Sequence, residues 1–366
     1  MRSAVDIVRF ITSAGLSALR GKRVLSCLWE LTYRCNARCT ICDYWRQPSF
    51  PEAELCLSSI RAGLRRIHSH GCRVVNFTGG EPTLRADLEQ IIATSSQLGM
   101  WTSMVTNGSR LSRSRLRDLK NAGLDNLFVS LDSPDPRIHD EQRGVGALHA
   151  RAVETLRWLG EDFLTGHRTG GIFCVISTSN ANALRELVNL ADQLGVFIVF
   201  QPYHRRKTGR NDLAADIDSD LVRGLLRLKG THDNLLCSRG NLRGLRRFSV
   251  GDPLPRCHAG RKYFSIDPFG GLHPCVDLPP VGNIVTDGLS ALQSEDVVRH
   301  VSACTGCWYN FRAEADATLS LEGCLDKLRL CLSVLTWNRR HVTRGIQPSR
   351  SDHQIRTVTD SPNDRT

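Results

Sequence analysis

The chain has 366 residues, 41% of them hydrophobic, with a formal net charge of +11 and fourteen cysteines. That length supports one core of roughly 200–250 residues plus a smaller unit, and no eighteen-residue apolar run is present to form a membrane-spanning helix. The positive charge fits nucleic acid, anionic lipid or a phosphorylated substrate, but basic residues are spread along the whole chain, which fits a solvated surface equally well.

Residues 1–23 place Val5, Val8, Ile11 and, less regularly, Leu16 and Leu19 on a helical stripe, with Arg2, Arg9, Arg20, Lys22 and Arg23 around it. Such an amphipathic helix either caps the core or lies on an anionic membrane surface, a peripheral contact at the inner face. Asp6 and Arg9 interrupt the stretch and make it poor export-signal material, so a cytoplasmic location is expected. In a reducing compartment thiols stay free, and the cysteines then point to metal ligation.

From residue 24 to about 202 short β-rich runs alternate with helical patterns, and 203–250 read as helical and basic, giving a core over 24–250. Strands are predicted over 24–32, 73–77, 102–106, 126–131, 171–177 and 196–200, and a helix over 184–194 stops at Gly195. Six βα units predict an α/β fold, a partial (βα)6 barrel, with ligands at the carboxyl ends of the strands.

Just past the first strand stand Cys35, Cys39 and Cys42, spaced C-x3-C-x2-C. Three thiolates around an iron–sulfur cube leave one iron free for another ligand; the competing reading is three buried cysteines acting as small hydrophobes. The second strand runs into Gly79-Gly80-Glu81-Pro82, and a Gly-Gly turn lets backbone approach a ligand where a side chain would clash.

In this order and spacing the two motifs make the chain resemble the radical S-adenosylmethionine (SAM) enzymes. The resemblance implies that Cys35, Cys39 and Cys42 ligate a [4Fe–4S] cluster whose free iron chelates SAM, and that Gly79, Gly80 and Glu81 hold its methionine part. Ser130 and Asp132 stand where the family places polar contacts to SAM, or else cap a strand end. Arg143 resembles the arginine that pairs with the SAM carboxylate, in competition with an ordinary surface arginine. Asn107 faces the same cavity. Ile41 occupies a position often aromatic in the family, so adenine contact there is apolar; Tyr44 and Trp45 either compensate or pack in the core. The chemistry implied is one-electron cleavage of SAM to a 5′-deoxyadenosyl radical, which removes hydrogen from an unactivated carbon, with flavodoxin or ferredoxin as electron donor.

Residues 251–325 carry Cys257, Cys275, Cys304 and Cys307, with Gly270 before the second. Four thiolates can close a cluster, and the wide first pair argues against a zinc ribbon. The unit resembles the SPASM domain of radical SAM maturases, but Ala313 and Ala317 stand where further cysteines would fall. This implies the shorter twitch version, with one auxiliary [4Fe–4S] cluster that takes or relays an electron. Residues 326–366 are read as a C-terminal helix and a polar tail, disordered over 345–366. Cys324 and Cys331, in a pattern with Leu321, Leu325, Leu328 and Leu332, are expected to pack in the core.

The cluster Tyr203, His204, Arg205, Arg206 and Lys207 with Arg210 indicates an anionic substrate or a solvated charge run. About 23 residues precede the first strand, too few for a cobalamin-binding or fused peptide-recognition domain. The reading is therefore an oxidoreductase-like radical SAM enzyme acting on a small, anionic or lipid-linked metabolite, with nucleic acid not expected as a partner. The alternatives are a ribosomal-peptide maturase that borrows a separate recognition protein, and a non-catalytic iron–sulfur electron carrier, against which the intact Gly79–Pro82 motif argues.

Overall fold

The computed structural model describes residues 25–304, 306–317 and 321–344. Its core repeats the strand-turn-helix pattern read from the sequence: β1 (Leu25–Thr32), α1 (Leu57–Ser69), β2 (Cys72–Gly79), α2 (Leu88–Gln97), β3 (Trp101–Thr106), α3 (Arg113–Ala122), β4 (Asn126–Ser130), α4 (Pro136–Arg143), α5 (Leu148–Trp158), β5 (Thr169–Ile176), α6 (Leu184–Gln193) and β6 (Phe197–Pro202). Each strand runs parallel to the next, from β1 to β6. Alternation along β1 shows how the barrel is packed. Cys27, Trp29 and Leu31 are fully buried on the outer face among Ile60, Leu64 and Ile67 of α1, while Leu28 points inward to a cavity.

After β6 come α7 (Ser219–Thr231) and α8 (Arg239–Val250), capped by Asp218 and Ser238. The chain then returns to the sheet. β7 (Tyr263–Ile266) pairs in parallel with β1, Ser26 opposite Tyr263 through Trp29 opposite Ile266, and β8 (Gly271–His273) and β9 (Gly282–Asn283) follow antiparallel. One nine-stranded sheet results, ordered β6-β5-β4-β3-β2-β1-β7-β8-β9. Then come α9 (Glu295–Ser302), α10 (Asn310–Ala317) and α11 (Leu321–Arg344).

The expected core packing of α11 is corrected. The helix is present, but Cys331 is exposed and Leu325, Leu328 and Leu332 are 48%, 55% and 55% exposed. A different face turns inward: Trp337 lies against Phe197, and Asn338 donates to the carbonyls of Gly166 (3.0 Å) and Arg168 (2.8 Å). Leu330 and Val334 on that face are buried. The side chains of Leu321 and Cys324, the N-terminal amphipathic stretch and the polar tail lie outside the described residues. Among the described residues no helix is long and apolar enough to cross a membrane.

Candidate active site

The loop carrying the first three cysteines leaves β1 at its carboxyl end and is clamped from the far side of the barrel. Arg38 N donates to Arg143 O (3.0 Å), Thr40 N to Gln142 O (2.9 Å) and Trp45 Nε1 to Cys39 O (3.1 Å). Its stem is fixed by Glu54, a buried carboxylate that pairs with Arg34 (3.1 Å) and Arg85 (3.5 Å). Cys35, Cys39, Ile41 and Cys42 line one cavity of about 700 Å³ with Gly79, Gly80, Glu81, Asn107, Ser130 and Arg143.

Both glycines are needed by the chain itself. Gly79 has φ +121°, and a Cβ there or on Gly80 would run into the carbonyls of Thr32 and Arg34, the stem of the cysteine loop. Gly80 N donates to Thr32 O (2.7 Å) and Glu81 N to Arg34 O (2.8 Å), so the turn seats the loop as well as lining the cavity.

Glu81 is buried and tied to two strand ends. Its Oε1 accepts from Thr83 N (3.0 Å), Thr83 Oγ1 (2.6 Å) and Thr106 Oγ1 (2.7 Å), and its Oε2 from Asn107 N (2.7 Å). Oε2 therefore keeps a lone pair to offer. Asn107 in turn donates to Asn36 Oδ1 (2.9 Å) inside the cysteine loop.

Asp132 does not line the cavity. Its Oδ2 accepts from Arg143 Nε (2.7 Å) and lies 2.7 Å from Nη2, while its Oδ1 accepts from Val175 N (3.0 Å). The ion pair aims the guanidinium, whose Nη1 lies 3.9 Å from Cys39 Sγ. Burial works against the Arg143 charge, but Asp132 and then Cys39 hold its pKa above the ordinary value. Ser130 sits at the cavity wall, 7% exposed.

The basic cluster after β6 is divided. Tyr203, His204 and Lys207 line the large cavity, and Arg206 lines a second, small one. Arg210 pairs with Asp212 and Arg205 donates to Asn211 Oδ1 (3.3 Å), both exposed. Lys207 donates to Tyr44 Oη (3.2 Å) and lies over its ring, while Tyr44 Oη donates to the buried carboxylate of Glu30. Lys207 is thus engaged by this wall. Burial and Lys207 push the His204 pKa down to about 3, and its Nε2 has no hydrogen-bond partner among the described residues. Sequence reasoning missed Glu30 and Tyr309, since neither sits in a motif.

Cys257, Cys275, Cys304 and Cys307 line the small cavity, of about 10 Å³. Arg312, fully buried, donates to Cys307 O (2.7 Å) and Cys307 Sγ (3.4 Å), and Cys257 Sγ lies 3.1 Å from Tyr263 Oη. A buried guanidinium aimed at a thiol suits an anionic thiolate set. At the first site burial raises the thiol pKa values to about 12 for Cys35 and about 11 for Cys42, so free thiolates are unfavourable there and a cationic partner fits. Among the described residues no three His, Cys, Asp or Glu side chains are placed to share a single metal ion. A cube presents one iron to each thiolate and takes a wider spread than one ion does.

Residues 29–191 match the family model of the radical SAM superfamily. The chain carries a radical SAM domain. It is 27% identical over 282 residues to the PqqA peptide cyclase of Rhodopseudomonas palustris, covering 71% of each chain, and 26% identical over 266 residues to that of Bradyrhizobium diazoefficiens, covering 69% of this chain and 66% of the relative. Among solved structures, Streptococcus suis SuiB bound to its precursor peptide SuiA superposes with a TM-score of 0.61 at 15% identity, over 83% of this chain and 73% of that one. The anSMEcpe complex with AdoMet and a peptide gives 0.60 at 16%, over 88% and 98%. Both confirm the α/β fold with its parallel sheet. Radical SAM domains use a [4Fe–4S] cluster and SAM, and the four-cysteine set fits an auxiliary cluster of SPASM type. The expectation of a small-molecule or lipid-linked substrate is overturned: both curated relatives are peptide cyclases, and the SuiB structure holds a precursor peptide.

Proposed function

We propose that this radical SAM enzyme matures a ribosomally made peptide, oxidising it or forming a bond within it, with a separate protein assisting recognition. Similarity to peptide cyclases supports the substrate class. The observation that carries the reading is that one half-open, largely apolar cavity joins the cysteine loop and Gly79–Glu81 to Tyr309 and Phe311 of the four-cysteine unit.

In this reading the core spans residues 24–250 and the auxiliary unit 251–325. Cys35, Cys39 and Cys42 hold the SAM-binding cluster, and Cys257, Cys275, Cys304 and Cys307 the auxiliary one. When bound, cluster and SAM supply a one-electron route to hydrogen-atom removal from an unactivated carbon. The chain supplies position. Arg143, aimed by Asp132, offers its outer face to the SAM carboxylate, the free lone pair of Glu81 accepts from the amine, and Ile41 gives the adenine an apolar seat. Asn107 and Ser130 line the same end. Leu28, Phe128, Phe173 and Val199 exclude water from the reacting carbon.

The test is anaerobic reconstitution with iron and sulfide, then measurement of 5′-deoxyadenosine with SAM, reductant and separate peptide and metabolite pools. Stimulation by peptides alone is expected. Stimulation by metabolites alone would defeat the reading.

A further inference from the structure

Two cavities that share a wall bring the two cysteine sets close. Tyr309 and Phe311 line both the 700 Å³ cavity and the 10 Å³ one. They flank Asn310, the first residue of α10, and their rings stack in parallel, 5.6 Å apart at 9°. Each is pinned from the auxiliary side. Tyr309 Oη donates to Asp277 Oδ1 (2.9 Å), and Phe311 meets Tyr263 edge-on at 5.1 Å, the same Tyr263 whose hydroxyl is 3.1 Å from Cys257 Sγ. On the other side the His204 ring packs on Tyr309 at 3.9 Å. Tyr309 is buried and Phe311 half-buried.

We propose that Tyr309 and Phe311 form a partition one side chain thick, positioning residues that present a rigid aromatic wall to substrate in the large cavity and seal the four-thiol site behind it. Aromatic rings suit both tasks: they fill a gap with few rotatable bonds, and a stacked pair covers a broad area. The wall keeps whatever occupies the large cavity within a side chain's thickness of the auxiliary thiols without letting it reach them. Other residues of the small cavity, such as Leu278 and Val301, face away from the large one and do not share this role. The inference rests on the reading that the four thiols hold an auxiliary cluster.

Its test needs no peptide. In a chain with Cys35, Cys39 and Cys42 all replaced by alanine, reconstituted anaerobically, only auxiliary iron remains, and its release to a ferrous chelator is followed by absorbance. Phe311→Ala is expected to speed release at least tenfold and Tyr309→Leu several-fold, Phe311→Trp to leave it as slow as the parent, and Leu278→Ala to change it less than twofold. Equal rates in Phe311→Ala and its parent, or equal acceleration by Leu278→Ala, would overturn the partition. A parent that holds no iron would instead overturn the auxiliary-cluster reading and the partition with it. Phe311→Leu, which keeps an apolar filling, guards against a folding defect: release intermediate between parent and Phe311→Ala is expected, and release as fast as the alanine variant counts against sealing.

Discussion

The two cysteine sites are built on opposite plans. The first hangs on the loop between β1 and α1, pinned to α4, and opens onto about 700 Å³, whereas the second closes around about 10 Å³ with a fully buried Arg312 against it. Three thiols beside a large cavity leave room for an exchanging ligand. Four thiols around so small a space do not. Under the proposed assignment, number of ligands and shape of surroundings are matched: the site that would admit SAM is held by backbone hydrogen bonds at its rim, and the one proposed to stay closed is packed by side chains.

The sharpest way to break this contrast is to remove thiols from each side. Cys39→Ala is expected to abolish SAM cleavage and to cut iron from about eight to about four per chain, checked by metal analysis and 5′-deoxyadenosine formation. Cys307→Ser is expected to lose the auxiliary cluster's spectroscopic signal while leaving SAM cleavage within several-fold; equal loss of cleavage would mean that the two sites are not separable. Next in size is Gly80→Ala, whose methyl collides with the Arg34 carbonyl beneath the first site. Overpacking of this kind costs roughly 1–3 kcal/mol, read as a lower denaturation midpoint, with the first cluster lost before the second.

The smallest effect is a pH dependence. Burial and then Arg143 hold His139 at about 4, and burial and then Lys207 hold His204 at about 3. The unfolded chain takes up these protons near pH 6.5, so the stability that both histidines contribute is full above that pH and lost as pH falls toward 4 and 3. The slope is at most about 1.4 kcal/mol per pH unit for each. His204→Gln should flatten the fall of melting temperature between pH 6.5 and 5, and an unchanged profile would refute the assignment.

Much of the barrel was legible because its signals are local. A strand such as 126–131 needs only its own β-rich run and flanking turns, and the helix at Leu184–Gln193 announces its stop with Gly195, which adopts φ +66°. The cysteine spacing and the Gly79–Pro82 turn are local too. What stayed hidden depends on distant partners. No spacing tells that Asp132 is spent on Arg143, or that Glu81 ties β2 to β3. The wall of Glu30, Tyr44, Lys207 and Tyr309 is gathered from four separate parts of the chain. On α11 periodicity revealed a stripe of leucines but not which face meets the barrel, and the stripe of Leu325, Leu328 and Leu332 points outward. The substrate lay beyond local signals too: a run of basic residues fits an anionic ligand and a solvated surface equally, and it was similarity to peptide cyclases that decided against a small metabolite.

The pairing of β7 with β1 fixes more than a topology. Because Ser26 faces Tyr263 within one continuous sheet, the span between the two thiol sets is a matter of strand register, and a sheet slips only in whole residues, turning its side chains over as it does. The strands that lie between Cys257 and Cys275 are therefore held to the barrel by sheet hydrogen bonds and not by a linker. A single substitution at the partition is then expected to act locally, without a shift of one unit against the other.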